Sequence, residues 1–194
     1  MCGYEVRRSI FIAGTASFGA LTVIFDYIFK FSGLKIPFPW LPVLKFDITG
    51  IPIISASMIY GFNSGIVVSL IAFLAIFLRS GKVVEAFMKA LAEFSTVVGV
   101  CIGIRLFKFR FKLVYPLLGA LIRPIVMCVA CLVVLPSYHG IPIPVVLSIM
   151  PFIAVFNVIQ AFISGFGGLF IYEVVARKAS HLLPKRPLNE EANA

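Results

Sequence analysis

Charged side chains inside long apolar runs are the residues of this sequence that could do chemistry. Arg123 lies about nine residues into the apolar run that begins at Tyr115. If this run is a helix, Arg123 lies roughly 13 Å from its start, at about 1.5 Å per residue. An ionisable group at such a depth usually faces a partner or a cavity, and Glu93 is its natural partner if the two helices touch. The alternative is that Arg123 extends to the cytoplasmic membrane surface, aided by a kink at Pro124. The sequence leaves both interpretations open.

A second polar feature is the segment FNVIQAFISGFGG, in which Asn157, Gln160 and Ser164 are spaced three and four residues apart. This spacing places the three side chains on one face of a helix. Such a face could hydrogen-bond a ligand. The common alternative is hydrogen bonding between helices, which is worth about 0.6 kcal/mol per bond in membrane bundles.

Catalysis has little support. Both histidines, His139 and His181, lie at loop or tail positions, and the sequence contains no HExxH, GxSxG or Walker A motif. Cys128 and Cys131 have the spacing of a redox or zinc motif, but no second Cys/His pair accompanies them, and apolar surroundings make a thiol inert. The sequence therefore predicts no enzyme, no metal site and no cofactor.

Composition indicates a membrane protein. Of the 194 residues, 61% are apolar and 13% are charged, and the mean hydropathy is +1.07, whereas soluble domains are about half apolar and about a quarter charged. The net charge of +9 comes from short basic groups between apolar runs, the pattern of cytoplasmic loops. No aromatic-interleaved basic patch indicates a nucleic-acid partner.

The elements that must position these residues are apolar segments near the length of about 20 residues that crosses a bilayer. The distribution of basic residues favours a cytoplasmic position for both termini, and the first run is too long for a signal peptide. We expect an all-α membrane protein of the plasma membrane, with one domain (1–180) and a polar cytoplasmic tail (181–194). Its six predicted transmembrane helices are 9–29, 48–60, 64–78, 84–107, 115–136 and 148–176, of which the second and third are marginal in length.

The loop between the first two helices, KFSGLKIPFPWLPVLKFD, is apolar and rich in proline. Pro37, Pro39 and Pro42 fix φ and stiffen it, and Trp40 suits the membrane interface. The loop could cover a pocket as an outer lid, or it could be an interfacial anchor that binds nothing.

The first helix carries a stripe of small residues, Ala13, Ala16 and Ala20, on one face. A small-xxx-small pattern allows another helix to approach closely. The stripe could equally pack within the same bundle.

Taken together, these segments resemble the substrate-binding S component of energy-coupling factor (ECF) vitamin transporters, and the riboflavin type most closely. The most specific part is LKFDITGIPIISASMIYGFNSGIVVSLI, which is similar to the family's hKhDhxDIPAhhxxhhFGPhxGhhh segment (h, apolar). ALAEF stands where the riboflavin type tends to read ELANF, and FNVIQ where it tends to read FNxxK. LVVLP before Tyr138 resembles the end of the family's fifth helix. Matching positions in the first segment are Lys45, Asp47, Ile51, Pro52, Gly61 and Gly65.

The resemblance implies a six-helix bundle with an outer lid loop between helices 1 and 2, and a vitamin site beneath that loop. It also implies that the chain docks on a transmembrane coupling subunit through an AxxxA motif at Ala16 and Ala20. Two ATPase subunits would supply the energy. The residues expected to contact the vitamin are Trp40, Lys45, Asp47, Glu93, Arg123, Asn157 and Gln160.

The chain also departs from the riboflavin type. Ala130 replaces an Asn of the fifth helix, Gln160 replaces the Lys of FNxxK, and Ala90 and Glu93 replace the acid and the Asn of ELANF. Such losses should change which ligand is accepted, since a polar site rejects ligands that leave its groups unpaired. Riboflavin or a related heteroaromatic is therefore the first hypothesis. A self-contained secondary transporter and a structural membrane protein without a ligand are the alternatives.

Overall fold

The structure is a computed structural model, and it describes residues 8–107 and 112–178. The predictions for the tail 181–194 and for His181 lie outside the described residues. The helices are α1 (Arg8–Phe31), α2 (Gly50–Tyr60), α3 (Phe62–Ser80), α4 (Val83–Phe107), α5 (Val114–His139) and α6 (Ile143–Lys178), with strands β1 (Ile36–Phe38) and β2 (Leu41–Phe46) between α1 and α2.

The predicted six-helix architecture is confirmed, with helix ends that differ from the predicted ones. Five of these helices are long and apolar enough to cross a membrane, and α2, with 11 residues, is not. The largest difference is at α6, which begins at Ile143 rather than at 148. Pro144 lies within the first turn of α6, where its missing N–H costs no helical hydrogen bond.

The short helix α2 lies at the centre of the bundle. Nine of its 11 residues are buried, and it packs against α1, α3, α4 and α6. Ile53, Ile54 and Met58 form the core there together with Val97 of α4 and Tyr115 of α5. A helix too short to span a bilayer is stable in this position because protein, not lipid, surrounds it.

The helices α4 and α5 approach each other closely at Gly99 and Gly119. A Cβ atom placed on Gly99 would lie 2.6 Å from the Cα of Gly119, so a larger residue at position 99 would force the two backbones apart. This contact allows side chains of α4 and α5 further along the helices to meet inside the bundle.

The predicted lid loop is a β-hairpin rather than an irregular loop. The two strands pair antiparallel, with Ile36 opposite Phe46 and Pro37 opposite Lys45, and the register is irregular after Pro37. Proline is tolerated here because a two-stranded ribbon has only edge strands. The position between α1 and α2 is as expected, and the structure adds that this connection contains two paired strands.

Candidate ligand-binding site

A buried network of charges joins the hairpin to three helices. Asp26 of α1 is 3.0 Å from the ammonium of Lys35, which precedes β1, and 2.9 Å from the guanidinium Nε of Arg79 of α3. Asp47, which follows β2, forms a salt bridge with Lys89 of α4 and lies 3.5 Å from Lys35. Both carboxylates are buried. We call these five residues the outer charge cluster, and both ends of the hairpin belong to it.

Asp47 is held as a carboxylate by its surroundings. Burial alone would raise its pKa, but the ammonium groups of Lys89 and Lys35 and hydrogen bonds from Lys89 and Thr49 lower the pKa to about 2. The hydroxyl of Thr49 donates to Oδ1 at 2.7 Å. Asp47 is therefore ionised at neutral pH and fixes the start of α2.

A second polar group, deeper in the bundle, surrounds Arg123. Its Nη1 donates to Glu93 Oε1 at 3.1 Å and to Thr96 Oγ1 at 3.2 Å, and its Nε donates to Asn157 Oδ1 at 3.2 Å. Arg123 is 3% exposed and Glu93 is 1% exposed. Of the two interpretations of Arg123, the structure shows the one in which it is paired with Glu93 inside the protein.

Gln160 connects this inner group to the outer charge cluster. Its amide nitrogen donates to the backbone carbonyl of Asp47 at 2.7 Å, across 113 residues of sequence. The bond ties α6 to the segment that leads from the hairpin into α2. If the hairpin moves, either this hydrogen bond breaks or Asp47 and Gln160 move together.

Three buried polar atoms of this region have no hydrogen-bond partner among the described residues: Glu93 Oε2, Gln160 Oε1 and Ser164 Oγ. Two of them converge on Gly50, where an added Cβ would lie 2.2 Å from Ser164 Oγ and 2.3 Å from Glu93 Oε2. Buried polar atoms without partners are uncommon and costly. Only glycine leaves room at position 50 for both oxygens.

A small cavity borders the same glutamate. Its volume of about 10 Å³ is room for roughly one water molecule, and it is lined by residues of α1, α2, α3 and α4, among them Asp26, Ile53, Lys89 and Glu93. Pockets for small-molecule ligands are typically about 300–1,000 Å³. A vitamin-sized molecule therefore needs a conformation that is more open than this one.

Aromatic side chains seat the hairpin on α6. Phe38, which is 1% exposed, packs against Phe46 at 5.7 Å and Phe156 at 5.6 Å between ring centroids. Trp40 is 62% exposed and stacks on Phe152 at 6.4 Å. Phe38 is thus the buried attachment of the hairpin, and Trp40 lies at its surface.

The structure brings together five of the seven residues predicted to contact a ligand: Asp47, Glu93, Arg123, Asn157 and Gln160. It does not bring in Trp40, which packs at the surface, or Lys45, whose side chain is exposed on β2. The ammonium groups near Asp47 come instead from Lys35 and Lys89.

Sequence reasoning missed several polar residues of the site. Asp26 and Lys89 are charged residues within predicted membrane helices, and the rule applied to Arg123 would have found them. Lys35, Arg79 and Thr96 carried no comparable signal, because loop lysines, helix-end arginines and helix threonines are common. The missed set is Asp26, Lys35, Thr49, Arg79, Lys89 and Thr96.

The small-residue stripe of α1 faces outward. Ala13, Ala16 and Ala20 are all exposed, whereas Gly19 on the adjacent face is buried, close to Ile71. The stripe therefore does not pack within this bundle, and it leaves a flat surface of about two helical turns.

The fold is similar to a solved structure, that of the S component of a bacterial ECF transporter. The TM-score is 0.71 at 22% sequence identity, and the match covers 88% of this chain and 97% of the other. No protein-family model and no curated protein matches the sequence. This chain therefore has the fold of the S component of a bacterial ECF transporter, an α-helical membrane bundle.

Proposed function

We propose that this chain is the substrate-binding S component of an ECF-type transporter in the plasma membrane. It captures a small vitamin-like molecule from outside and delivers it inward with a separate coupling subunit and two ATPase subunits. The observation that carries the proposal is the group of buried polar side chains beneath the hairpin, in a bundle with the S-component fold. Three atoms of this group lack a hydrogen-bond partner among the residues that the structure describes. The chain itself carries out no reaction.

The hairpin is the gate of this site. Its two ends are held by salt bridges to Asp26 and Lys89, and its middle is held by Phe38 against Phe156. Because the cavity is smaller than a typical ligand pocket, binding requires the hairpin to lift from α6. The buried charges that lose a partner when the hairpin lifts then pair with each other or with the incoming molecule, because a buried charge without a partner is costly.

The first hypothesis for the molecule is riboflavin or a related heteroaromatic. The rings of Phe38, Phe46 and Phe156 supply an apolar wall, and aromatic pairs prefer offset or edge-to-face geometry. Purification in detergent from cells grown in rich medium, followed by an absorbance spectrum, tests it directly. Visible flavin bands support riboflavin, and a colourless preparation with another bound molecule excludes riboflavin while leaving the S-component proposal intact.

Docking on the coupling subunit uses the exposed alanine stripe. Replacing Ala20 by Phe places a bulky ring on the flat surface that a partner helix would contact. The isolated protein keeps its stability because the position is exposed. We expect Ala20→Phe to abolish co-purification of the coupling subunit. Val129→Phe, on the exposed face of α5, is the matched control and should retain it.

Orientation is part of the same proposal. The ammonium of Lys112, just before α5, donates to Glu173 near the end of α6 at 2.6 Å. The start of α5 and the end of α6 therefore lie on the same side of the bundle, where basic residues are found. An excess of Lys and Arg indicates the cytoplasmic side. Both termini are then cytoplasmic, which reporter fusions at each end can test.

Transport itself separates this proposal from a self-contained secondary transporter. Proteoliposomes that contain the chain, the coupling subunit and both ATPases should take up the molecule only when ATP is supplied. Proteoliposomes with the chain alone should show none at any ion gradient. Gradient-driven uptake by the chain alone would contradict the proposal.

A further inference from the structure

The unpaired buried atoms specify the hydrogen-bonding pattern of the molecule that enters. We infer that the ligand presents at least two N–H or O–H donors, which bind Glu93 Oε2 and Gln160 Oε1. This inference rests on the proposed function, because it takes these atoms to belong to a ligand site. It goes further by naming the chemical class: a neutral or cationic donor-bearing molecule, as opposed to one that offers a carboxylate or carbonyl at this edge.

The role of Gln160 as an acceptor follows from its existing bond. The backbone carbonyl of Asp47 can only accept, so the NH₂ group of Gln160 has to face it, at 2.7 Å. The oxygen Oε1 is then directed elsewhere and has no partner within residues 8–107 and 112–178. The side chain is 2% exposed, so bulk water does not satisfy this acceptor.

The same reasoning fixes Glu93. The guanidinium of Arg123, which only donates, takes Oε1 at 3.1 Å. The second oxygen, Oε2, lies beside Gly50 and has no hydrogen-bond partner among the described residues, and Glu93 also borders the cavity. A carboxylate has only acceptors, so a ligand carboxylate or carbonyl facing Oε2 would be repelled.

Ser164 adds a third contact that does not discriminate. The residue is 0% exposed, its hydroxyl has no partner in the described part of the chain, and a hydroxyl can donate or accept. Since it lies beside Glu93 Oε2 across Gly50, it serves a ligand group that reaches Oε2. Among these three unpaired groups, two can only accept hydrogen bonds and one can do either.

Leaving such a buried acceptor unpaired in a complex weakens binding by about ten- to a hundredfold per group. Matched pairs of small heteroaromatics measure this preference. Suitable probes are nicotinamide against nicotinic acid, pyridoxamine against pyridoxal, and riboflavin against N3-methylriboflavin. Each is titrated by calorimetry into the full-length protein in detergent, and any molecule that co-purifies is identified by mass spectrometry.

We expect the donor-bearing member of every pair that binds to bind at least tenfold more tightly. In Glu93→Gln the new amide oxygen has to face Arg123, so an NH₂ group replaces Oε2. This variant should therefore lose the preference, while Glu85→Gln, an exposed change on the same helix, should keep it. Ser164→Ala removes a hydroxyl that has no partner, so it should fold as well as the wild type and bind the preferred probe about tenfold more weakly.

The outcomes separate the two proposals. Equal binding of both members of a pair, a co-purified molecule without two donors, or unchanged binding in Ser164→Ala and Glu93→Gln overturns the inference and leaves the S-component role standing. If no probe binds and no molecule co-purifies, the proposed function itself fails.

Discussion

Replacing Arg123 by Met tests whether the inner polar group holds the bundle together. Methionine keeps an unbranched apolar stem but removes the guanidinium. Three hydrogen bonds disappear, to Glu93, Thr96 and Asn157. The Glu93 carboxylate, which is 1% exposed, is then left buried without its cation.

The magnitude follows from that burial. Removing one partner of a buried ion pair costs about 3–5 kcal/mol, because the other charge stays uncompensated. For a chain of this size, about 1 kcal/mol shifts Tm by roughly 2–4 °C, so Arg123→Met should lower Tm by about 6–20 °C. Glu93→Gln should act in the same direction. The double variant should cost less than the sum of the two, by about 0.5–3 kcal/mol, since the residues are in contact.

The assay is thermal unfolding in detergent with a thiol-reactive fluorophore. Cys131 is buried and Cys128 is partly buried in α5, so their labelling reports unfolding. Glu85→Gln, which breaks only the exposed pair with Lys82, is the control and should leave Tm unchanged. A Tm for Arg123→Met within about 2 °C of the wild type, or strict additivity in the double variant, would show that the Arg123–Glu93 pair does not stabilise the bundle.

Three further predictions concern the hairpin and its surroundings. Because the pKa of Asp47 is about 2 rather than 3.8, its charged form stabilises the fold above about pH 4, and this contribution is lost as the pH falls toward about 2. Asp47→Asn should abolish the fall in Tm over this pH range. A plot of Tm against pH that is the same for the variant and the wild type would contradict the assignment. Gly50→Ala should destabilise the fold by about 1–3 kcal/mol, since its Cβ would lie 2.2 Å from Ser164 Oγ, and adding Ser164→Ala should restore part of the lost Tm. Phe38→Ala, which removes the buried attachment of the hairpin, should raise the dissociation rate of a bound probe at least about tenfold, measured by chase with excess competitor; an unchanged rate would mean that the hairpin is not a gate.

The helices were predictable because long apolar runs have few alternatives in a membrane. The 11-residue α2 was recognisable as marginal, and its central position explains why: its apolar residues are satisfied by protein rather than by lipid. The polar face of α6 was also predictable, because residues 157, 160 and 164 recur at helical spacing and all three are buried.

The hairpin could not be predicted, since three prolines argue against strands and its pairing depends on contacts with α6. Its geometry also explains why Lys45 lies apart from the other predicted site residues. The residue lies within β2 opposite Pro37 with an exposed side chain, whereas Asp47 lies beyond the strand end and turns inward. The outer charge cluster draws its five members from separate parts of the chain, so the sequence could indicate single members such as Asp26 and Lys89 but not their convergence.

Native mass spectrometry of the protein released from detergent counts bound molecules per chain, and so it shows whether the bundle holds a ligand. We expect one small-molecule adduct on the wild type. The adduct should be absent from a variant in which Asn157 and Gln160, both buried in the site, are replaced by Leu, while the Glu85→Gln control should retain it. A wild-type spectrum that shows only the mass of the bare chain, or an adduct that persists in the Leu variant, would contradict the existence of a ligand chamber at this place.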